Sequence, residues 1–178
     1  MRLLREYIRE LLSEGAKGVA DLPPQAYVSV EKLSDGINIY YADMFGGQLE
    51  KPISGIIEAY EPDETTGNCE GALVVRRAFA TKGFGPLLYD LMLEAAGGRG
   101  LTMDRETLSP DALRVWEYYM LNRSDVTKRQ TTENECKIGP DIAKHLDKYD
   151  TGKSPLHYIY VKNDNVVTQQ LLSMGKMV

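Results

Sequence analysis

The feature that most constrains this fold is an apolar strand that runs through a glycine-containing turn into a helix, over residues 74–88. The stretch that includes Val75 is typical of a strand, and Gly83 and Gly85 interrupt it. Pro86 then occupies a position typical of the first turn of a helix. This succession predicts one α/β domain in which the turn joins a strand to the first interior helix.

The turn also predicts a place where phosphate binds. The first N–H groups of a helix lack intrahelical acceptors and lie at the positive end of its dipole, so they attract anions. Gly83 and Gly85 remove side chains where a pyrophosphate would touch the backbone. The alternative for this stretch alone is a tight strand-to-helix turn without a ligand.

Periodicity predicts the remaining elements. Apolar and polar residues alternate on both sides of Ser34-Asp35-Gly36, which indicates a hairpin. Ser109-Pro110-Asp111 is a strong helix start, with a hydroxyl at the N-cap and a proline after it. Beyond the hairpin, strands are predicted at 53–60, 72–79, 100–104, 126–130 and 156–162, and helices at 86–96, 110–121, 141–148 and 166–174.

A chain of 178 residues supports one domain with appendages. We divide it into residues 1–24, an N-terminal amphipathic helix and linker, and residues 25–178, the main domain. The helix is predicted over residues 1–14 and ends at Gly15. Its apolar stripe consists of Leu3, Leu4, Tyr7, Ile8, Leu11 and Leu12.

Charge and composition exclude several classes of protein. A net charge of -5 and a pI near 5.1 give no general attraction to nucleic acid. No apolar stretch approaches the about 20 residues of a membrane span, and the charged N-terminus is unlike a signal peptide. Cys69 and Cys136 lack a CxxC companion, which fits a reducing compartment. His145 and His157 have no neighbours at metal-ligand spacing, so we expect no metal.

Residues 80–85 resemble the acyl-CoA loop of the GNAT family of N-acetyltransferases, usually Arg/Gln-x-x-Gly-x-Gly/Ala between an apolar strand and a Leu-rich helix. Ala80 stands where Arg or Gln is usual, and Lys82 remains as a phosphate partner. The resemblance implies acetyl-CoA as co-substrate, with the pantetheine held by backbone groups near Val74 and Val75. The cofactor-binding residues that it implies are Val74, Val75, Ala80, Thr81, Lys82, Gly83, Phe84, Gly85, Pro86 and Ser109.

A second match lies on the predicted helix that starts at Ser109, where the family tends to show Asn-x-x-Ala-x-x-x-Tyr-Glu. Ala112 and Glu117 are in register, but Trp116 stands at the tyrosine that protonates the departing thiolate in the family. Tyr118 or Tyr119 substitutes for it, or water does, or the chemistry is lost. The two matches span residues 53–130, less than half of the chain.

The family fold implied is a mixed, mostly antiparallel sheet of six or seven strands flanked by helices. The family's two helices between its first and second strands have no room in the short turn from Ser34 to Gly36. The acceptor groove must therefore be built differently, from residues 1–26 or from the C-terminal segment.

Amine acetylation needs a base, and the resemblance implies a carboxylate for that role. Glu70, at the start of the fourth predicted strand, is the first candidate, and Glu58, near the end of the third, is the second. The alternative for each is a solvated carboxylate at a strand end. The expected function is acyl transfer from acetyl-CoA to a small-molecule or protein amine, and the alternative is a non-catalytic GNAT-like binding or virion-associated protein.

Residues 1–14 also resemble the leaders of proteins packaged into the heads of large tailed phages, which a prohead protease cuts after Leu/Ile-x-Glu. Leu12-Ser13-Glu14 fits that pattern, as do Leu4-Arg5-Glu6 and Ile8-Arg9-Glu10. The resemblance implies a phage protein in the host cytoplasm or packaged in a virion, with the head protease or capsid as partner. The alternative is a helix that packs on its own domain or forms a homodimer.

Overall fold

The computed structural model describes residues 17–45, 48–49, 54–81, 83–132, 134–143 and 154–178. The predicted N-terminal helix and its cleavage motif, Lys82, and the end of the predicted helix 141–148 lie outside these residues. The strands are β1 Ala26–Lys32, β2 Gly36–Phe45, β3 Gln48–Leu49, β4 Gly55–Tyr60, β5 Leu73–Ala80, β6 Leu101–Thr102, β7 Thr127–Gln130 and β8 Tyr158–Val161. The helices are α1 Gly85–Ala96, α2 Pro110–Asn122, α3 Pro140–Ala143 and α4 Val166–Ser173, with 3-10 turns at Val19–Asp21, Cys69–Gly71, Gly97–Arg99 and Pro155–His157.

The described strands form one mixed, mostly antiparallel sheet. Its order is β1-β2-β4-β5-β6-β8-β7, and β3 pairs with β2 off this path. Only β5 and β6 are parallel among the pairs of named strands in the described residues. The predicted α/β class with a mostly antiparallel sheet flanked by helices is confirmed at this level.

The predicted hairpin of β1 and β2 is confirmed. Ile37, Ile39 and Tyr41 point to one side of β2 and are buried in the main core. Gly36 begins β2 so close to β4 that a Cβ there would lie 2.5 Å from the carbonyl oxygen of Ala59. The turn therefore needs glycine for space.

The main core lies between the sheet and α1. The apolar side of α1, including Leu88, Leu91 and Met92, is buried together with Ile39 of β2 and Ile57 of β4. The helix crosses the sheet on this face because a 3.6-residue apolar stripe must be covered by another apolar layer. We call the opposite side of β1, β2, β4 and β5 the open face, although Asn38 and Ile56 on it are buried.

The second helix begins as predicted. The Ser109 hydroxyl accepts a hydrogen bond from the Ala112 N–H at 3.1 Å, and Pro110 follows in the first turn. Trp116, which is 1% exposed, packs on Tyr160 of β8 with the ring centroids 4.9 Å apart. Trp116 is thus part of the core that joins α2 to the sheet.

Cys69 and Cys136 form a disulfide, which the sequence analysis did not expect. The bond holds the chain around Cys136 against the start of β5, where Val74 packs on both cysteines. The Cys69 N–H also donates to the Glu135 carbonyl at 2.9 Å. The two cysteines are 67 positions apart, so the sequence did not indicate their pairing. The disulfide differs from the prediction of a reducing compartment, because disulfides persist in oxidising compartments.

Element boundaries differ from prediction near the C-terminus. The last strand begins at Tyr158 instead of Leu156, because Ser154 caps a 3-10 turn by accepting from the Leu156 N–H at 3.2 Å. Beyond α4, Met177 forms a parallel bridge with Val28 and covers the edge of β1. No helix within the described residues is both long and apolar enough to cross a membrane.

Candidate functional site

The parallel strands β5 and β6 pair only briefly. Leu73 pairs with Leu101 and Val74 with Thr102, after which β6 ends while β5 continues to Ala80. Beyond Val74, β5 has no strand partner on its β6 side in the described residues. Backbone groups along such an edge need water or a ligand. We call this unpaired edge of β5, beyond the end of β6, the gap.

Asp104 directs the chain away from this gap. Its Oδ1 accepts from the Glu106 N–H at 2.8 Å and from the Thr107 N–H at 3.0 Å. This is an Asx-type turn, which favours a change of chain direction over continuation of a strand. The gap is therefore produced by the turn that follows β6.

A β-bulge lies next to the point where the strands separate. Glu58 pairs with Arg77 and Ala59 with Val75, which leaves Arg76 without an opposite residue on β4. The Arg76 side chain pairs with Asp63 at 2.5 Å. Bulges bend a strand and often occur near active sites, and this one lies within two residues of the last β5–β6 pair.

The glycine loop follows β5 and is fixed by its backbone. The Thr81 N–H donates to the Ser54 carbonyl at 2.7 Å, and the Phe84 N–H donates to the Thr81 carbonyl at 3.1 Å. Phe84 is 4% exposed and packs on Tyr41 with the ring centroids 4.9 Å apart. The loop is therefore held against the core by Phe84, while Gly83 takes a φ of +97° that favours glycine.

The start of α1 carries free donors and free space. Phe84 at the N-cap makes no side-chain cap, and the first helical bond runs from the Leu88 N–H to the Phe84 carbonyl at 3.3 Å. Among the described residues no acceptor is bonded to the N–H groups of Gly85 or Leu87, as expected for a first turn. A Cβ on Gly85 would have nothing within 4 Å. The described residues thus leave donors, and space for a side-chain carbon, at this helix start.

Lys17 lies beside the same loop, although sequence reasoning assigned it to a linker. Its N–H donates to the Gly83 carbonyl at 2.7 Å, and its ammonium lies 5.1 Å from the centroid of the Phe84 ring. The signal that could have identified it is weak, because an exposed lysine in a polar stretch is common. The tertiary structure brings it to the loop.

The other residues predicted to hold the cofactor take different positions. Val74 and Val75 are 2% and 4% exposed, so only their backbone groups are available to a ligand. Ala80 ends β5 and is half-buried, and Thr81 is exposed. Ser109 caps α2 with its hydroxyl.

Glu70 does not lie at the loop. It sits in the 3-10 turn before β5 with a φ of +53°, and its carboxylate pairs with Arg129 at 2.9 Å. The eight residues of β5 separate this turn from the glycine loop, a span of about 26 Å at the usual rise per residue. Glu70 and Gly83 are therefore at opposite ends of the strand.

Glu58 stands on the open face, at the bulge. Its Oε1 is 4.0 Å from Arg77 Nη1, and its side chain is 19% exposed. Asn38 of β2 is its cross-strand neighbour on the other side. Of the two predicted carboxylates, Glu58 lies nearer the glycine loop, because it pairs with Arg77 in the second half of β5.

Tyr119 and Tyr118 differ in their surroundings. Tyr119 is 1% exposed, and its hydroxyl donates to Asp90 Oδ1 at 2.6 Å. Burial, reinforced by the Asp90 charge, raises the pKa of Tyr119 well above its ordinary value. Tyr118 is half-buried with its ring 6.0 Å from that of Tyr119.

A cavity of about 180 Å³ lies away from the glycine loop, between the β1–β2 hairpin and the end of α1. The residues that line it include Lys32, Leu33, Glu61 and Arg99. In the described ranges no group of three or more His, Cys, Asp or Glu side chains could hold a metal ion.

No family model, curated protein or solved structure matches this chain.

Proposed function

We propose that the chain is an acyl-CoA-dependent N-acyltransferase that moves an acetyl group from acetyl-CoA to an amine. The observation that carries the proposal is that one strand, β5, borders the β5–β6 gap and then leads directly into an uncapped helix start with free amides. With the CoA diphosphate bound at Gly85, the pantetheine arm attached to it would extend along the gap. This is the arrangement that the resemblance to the GNAT family implies.

The reaction needs a neutral amine, whose nitrogen attacks the thioester carbonyl carbon. The carbon–sulfur bond breaks, and the thiolate takes up a proton while a base accepts the proton that the amine loses. Backbone groups of β5 near the bulge at Arg76 would orient the carbonyl. Glu58 is the preferred base, because Glu70 is paired with Arg129 at the far end of β5.

The proton for sulfur has two sources in this arrangement. The Tyr119 hydroxyl is buried and donates to Asp90, so it serves the core. Tyr118 or a water molecule is then the proton donor of the proposal. A phenol O–H can donate a proton to the departing thiolate.

Isothermal titration with acetyl-CoA tests the site through a variant that should keep the fold. Gly85→Asp places an acid in the first turn of α1, where the helix dipole stabilises it, and the open space accepts the side chain. The same acid repels a diphosphate, so we expect acetyl-CoA binding to weaken by about tenfold or more. Gly98→Asp is the matched control, since that position is also open.

Equal affinities for the wild type and Gly85→Asp would contradict the proposal, as would the absence of heat at millimolar acetyl-CoA. Thermal unfolding of both variants verifies that the fold persists. Release of the CoA thiol with a panel of amines then tests turnover, and Glu58→Gln should lower kcat without changing acetyl-CoA affinity.

A second candidate is an acyl-CoA-binding or virion-associated protein without turnover. Two contacts favour this candidate. Glu70 pairs with Arg129, and Tyr119 donates to Asp90, so these two predicted catalytic groups serve structural contacts. Acetyl-CoA binding without thiol release on any amine would support this candidate. The phage leader in residues 1–14 stays a proposal, and the mass of the chain after exposure to a prohead protease tests cleavage after Glu14.

A further inference from the structure

The open face carries two carboxylates on either side of a buried amide. Cross-strand register places Asn38 of β2 opposite Glu31 of β1 and Glu58 of β4. Ile37 and Ile39, the sequence neighbours of Asn38, are buried in the core against α1. Because side chains alternate along a strand, Asn38 faces the other way, so the three polar side chains form one row across the open face.

The amide oxygen of Asn38 lacks a donor. Asn38 is 7% exposed, and its Oδ1 is buried without a hydrogen-bond partner. Its Nδ2 donates to the Tyr40 hydroxyl at 3.0 Å, and that hydroxyl in turn lies 3.4 Å from Glu31 Oε2. Buried acceptors in native proteins nearly always have partners. Because this oxygen is shielded from solvent, a donor from a ligand would reach it only after a covering side chain moves aside.

Arg77 is poorly placed to donate to Glu58 or to the amide oxygen of Asn38. Its guanidinium is 4.0 Å from Glu58, beyond hydrogen-bond distance, and its side chain is 65% exposed. Such an exposed pair is weak and is screened by salt. A compact ammonium group, with three donors, can reach a carboxylate and an amide oxygen together, and it would displace the guanidinium.

An apolar row runs beside the polar one. Tyr40 pairs with Ile56, and Ile56 pairs with Phe79, so these side chains lie next to each other on β2, β4 and β5. Phe79 is 56% exposed, which is high for a phenylalanine in a strand. Ile56 is already buried, so an alkyl chain attached to the ammonium group could lie against Phe79 at the end of this row. The two rows together match a primary alkyl ammonium ion.

We propose that Glu31, Asn38 and Glu58 bind a primary alkyl ammonium group, of the kind found in polyamines and lysine side chains. That this group is the acyl acceptor rests on the proposed function, and its binding does not. Glu58 would then both bind the ammonium group and accept its proton, next to the bulge in β5.

Titration of the full chain without acetyl-CoA tests the site. The probes are spermidine and Nα-acetyl-lysine methylamide. Calorimetry measures their binding, and shifts of the backbone amide resonances on the open face locate it. Glu58→Gln should weaken binding by about fivefold or more, because a charge-assisted hydrogen bond is lost. Asn38→Ala, which removes the amide oxygen, should also weaken binding, since an acceptor for the ammonium group is lost.

Glu64→Gln is the control matched for net charge, because Glu64 is an exposed loop residue after β4. We expect it to leave both dissociation constants unchanged. Equal weakening in Glu58→Gln and Glu64→Gln would overturn the site in favour of general electrostatic attraction. Absence of binding of either probe at millimolar concentration would overturn it as well. A preference for one probe identifies the source of the ammonium group.

The two proposals can fail separately. Amine binding that depends on Glu58, in a chain that does not bind acetyl-CoA, would overturn the acyltransferase and keep the ammonium site. Acetyl-CoA binding that Gly85→Asp weakens, in a chain without an amine site, would do the reverse.

Discussion

Glu94 of α1 and Lys162, which follows β8, form an ion pair with Oε1 and Nζ 2.5 Å apart. Their side chains are 1% and 3% exposed. Glu94 also accepts from the N–H groups of Val167 at 2.9 Å and Thr168 at 2.8 Å, so it caps the first turn of α4 from another helix. One carboxylate therefore joins α1, β8 and α4.

We expect Glu94→Ala to lower the free energy of unfolding by about 3–5 kcal/mol, because it leaves Lys162 buried without its main partner. Urea denaturation measures the effect. The double variant Glu94→Leu/Lys162→Leu should be less destabilised than Glu94→Ala, since no buried charge remains unpaired. Equal losses in the two variants would show that the α4 cap, rather than the charge pair, dominates.

The disulfide should contribute to stability through the length of chain that it closes. With the cysteines 67 positions apart, the chain-entropy relation gives about 4 kcal/mol. Urea unfolding with and without a reductant measures this. Cys69→Ser/Cys136→Ser should be insensitive to the reductant, and two free thiols found in the untreated unfolded chain would contradict the bond.

The Tyr119 hydroxyl should matter for stability more than for catalysis. Tyr119→Phe removes the hydrogen bond to Asp90 in a buried position, so we expect a loss of about 1–2 kcal/mol in the free energy of unfolding. Tyr118→Phe is the comparison, with little change in stability and a lower kcat if Tyr118 protonates sulfur. A loss of kcat confined to Tyr119→Phe would reverse these roles.

Gly100 should tolerate no side chain. It has a φ of +82°, and a Cβ there would lie 2.6 Å from Ile159 Cγ2 and 2.9 Å from Val161 Cγ2. We expect Gly100→Ala to destabilise the chain by about 2 kcal/mol or more, from overpacking and backbone strain together. Gly98→Ala, at an open position, should change the midpoint of thermal unfolding little.

The lowered pKa of Asp125 predicts that the stability of the chain depends on pH under acidic conditions. The hydrogen bond from Arg123 lowers the pKa of Asp125 to about 2 from 3.8. Because the folded-state pKa is the lower one, the stabilisation is present above about pH 4 and is lost as the pH falls toward 2. The carboxylate is 42% exposed, so Asp125→Asn should cost below about 1 kcal/mol at neutral pH. Urea midpoints of the two proteins should converge between those pH values, and a constant difference would contradict this.

The hairpin, α1 and α2 could be predicted because their signals are local. Alternation around Ser34-Asp35-Gly36 indicated β1 and β2, and the N-cap signal at Ser109 indicated α2. Short elements were less predictable. The strand predicted at 100–104 is present as only the two residues of β6, and the 3-10 turn that begins at Pro155 was not predicted. Both depend on partners distant in the sequence, such as Val74, or on Tyr160.

The candidate site divides in the same way. The glycine turn could be predicted because glycines and a following proline act on their own backbone. The free Oδ1 of Asn38 and the contact of Lys17 with Gly83 could not be predicted, because neither residue type is unusual in its place in the sequence. Tyr119 was predicted, with Tyr118, as a catalytic residue from the resemblance to the GNAT family, and its contact with Asp90 became known only from the fold.

The sequence by itself determined the strand, the glycine turn and the helix that follows, together with the class of the domain, because periodicity and backbone restrictions act over a few residues. Only the tertiary structure decided which strands separate beside that turn, that Cys69 meets Cys136, and that Asn38 lies between Glu31 and Glu58. Those relations join residues far apart in the chain, and packing of the whole sheet fixes them together.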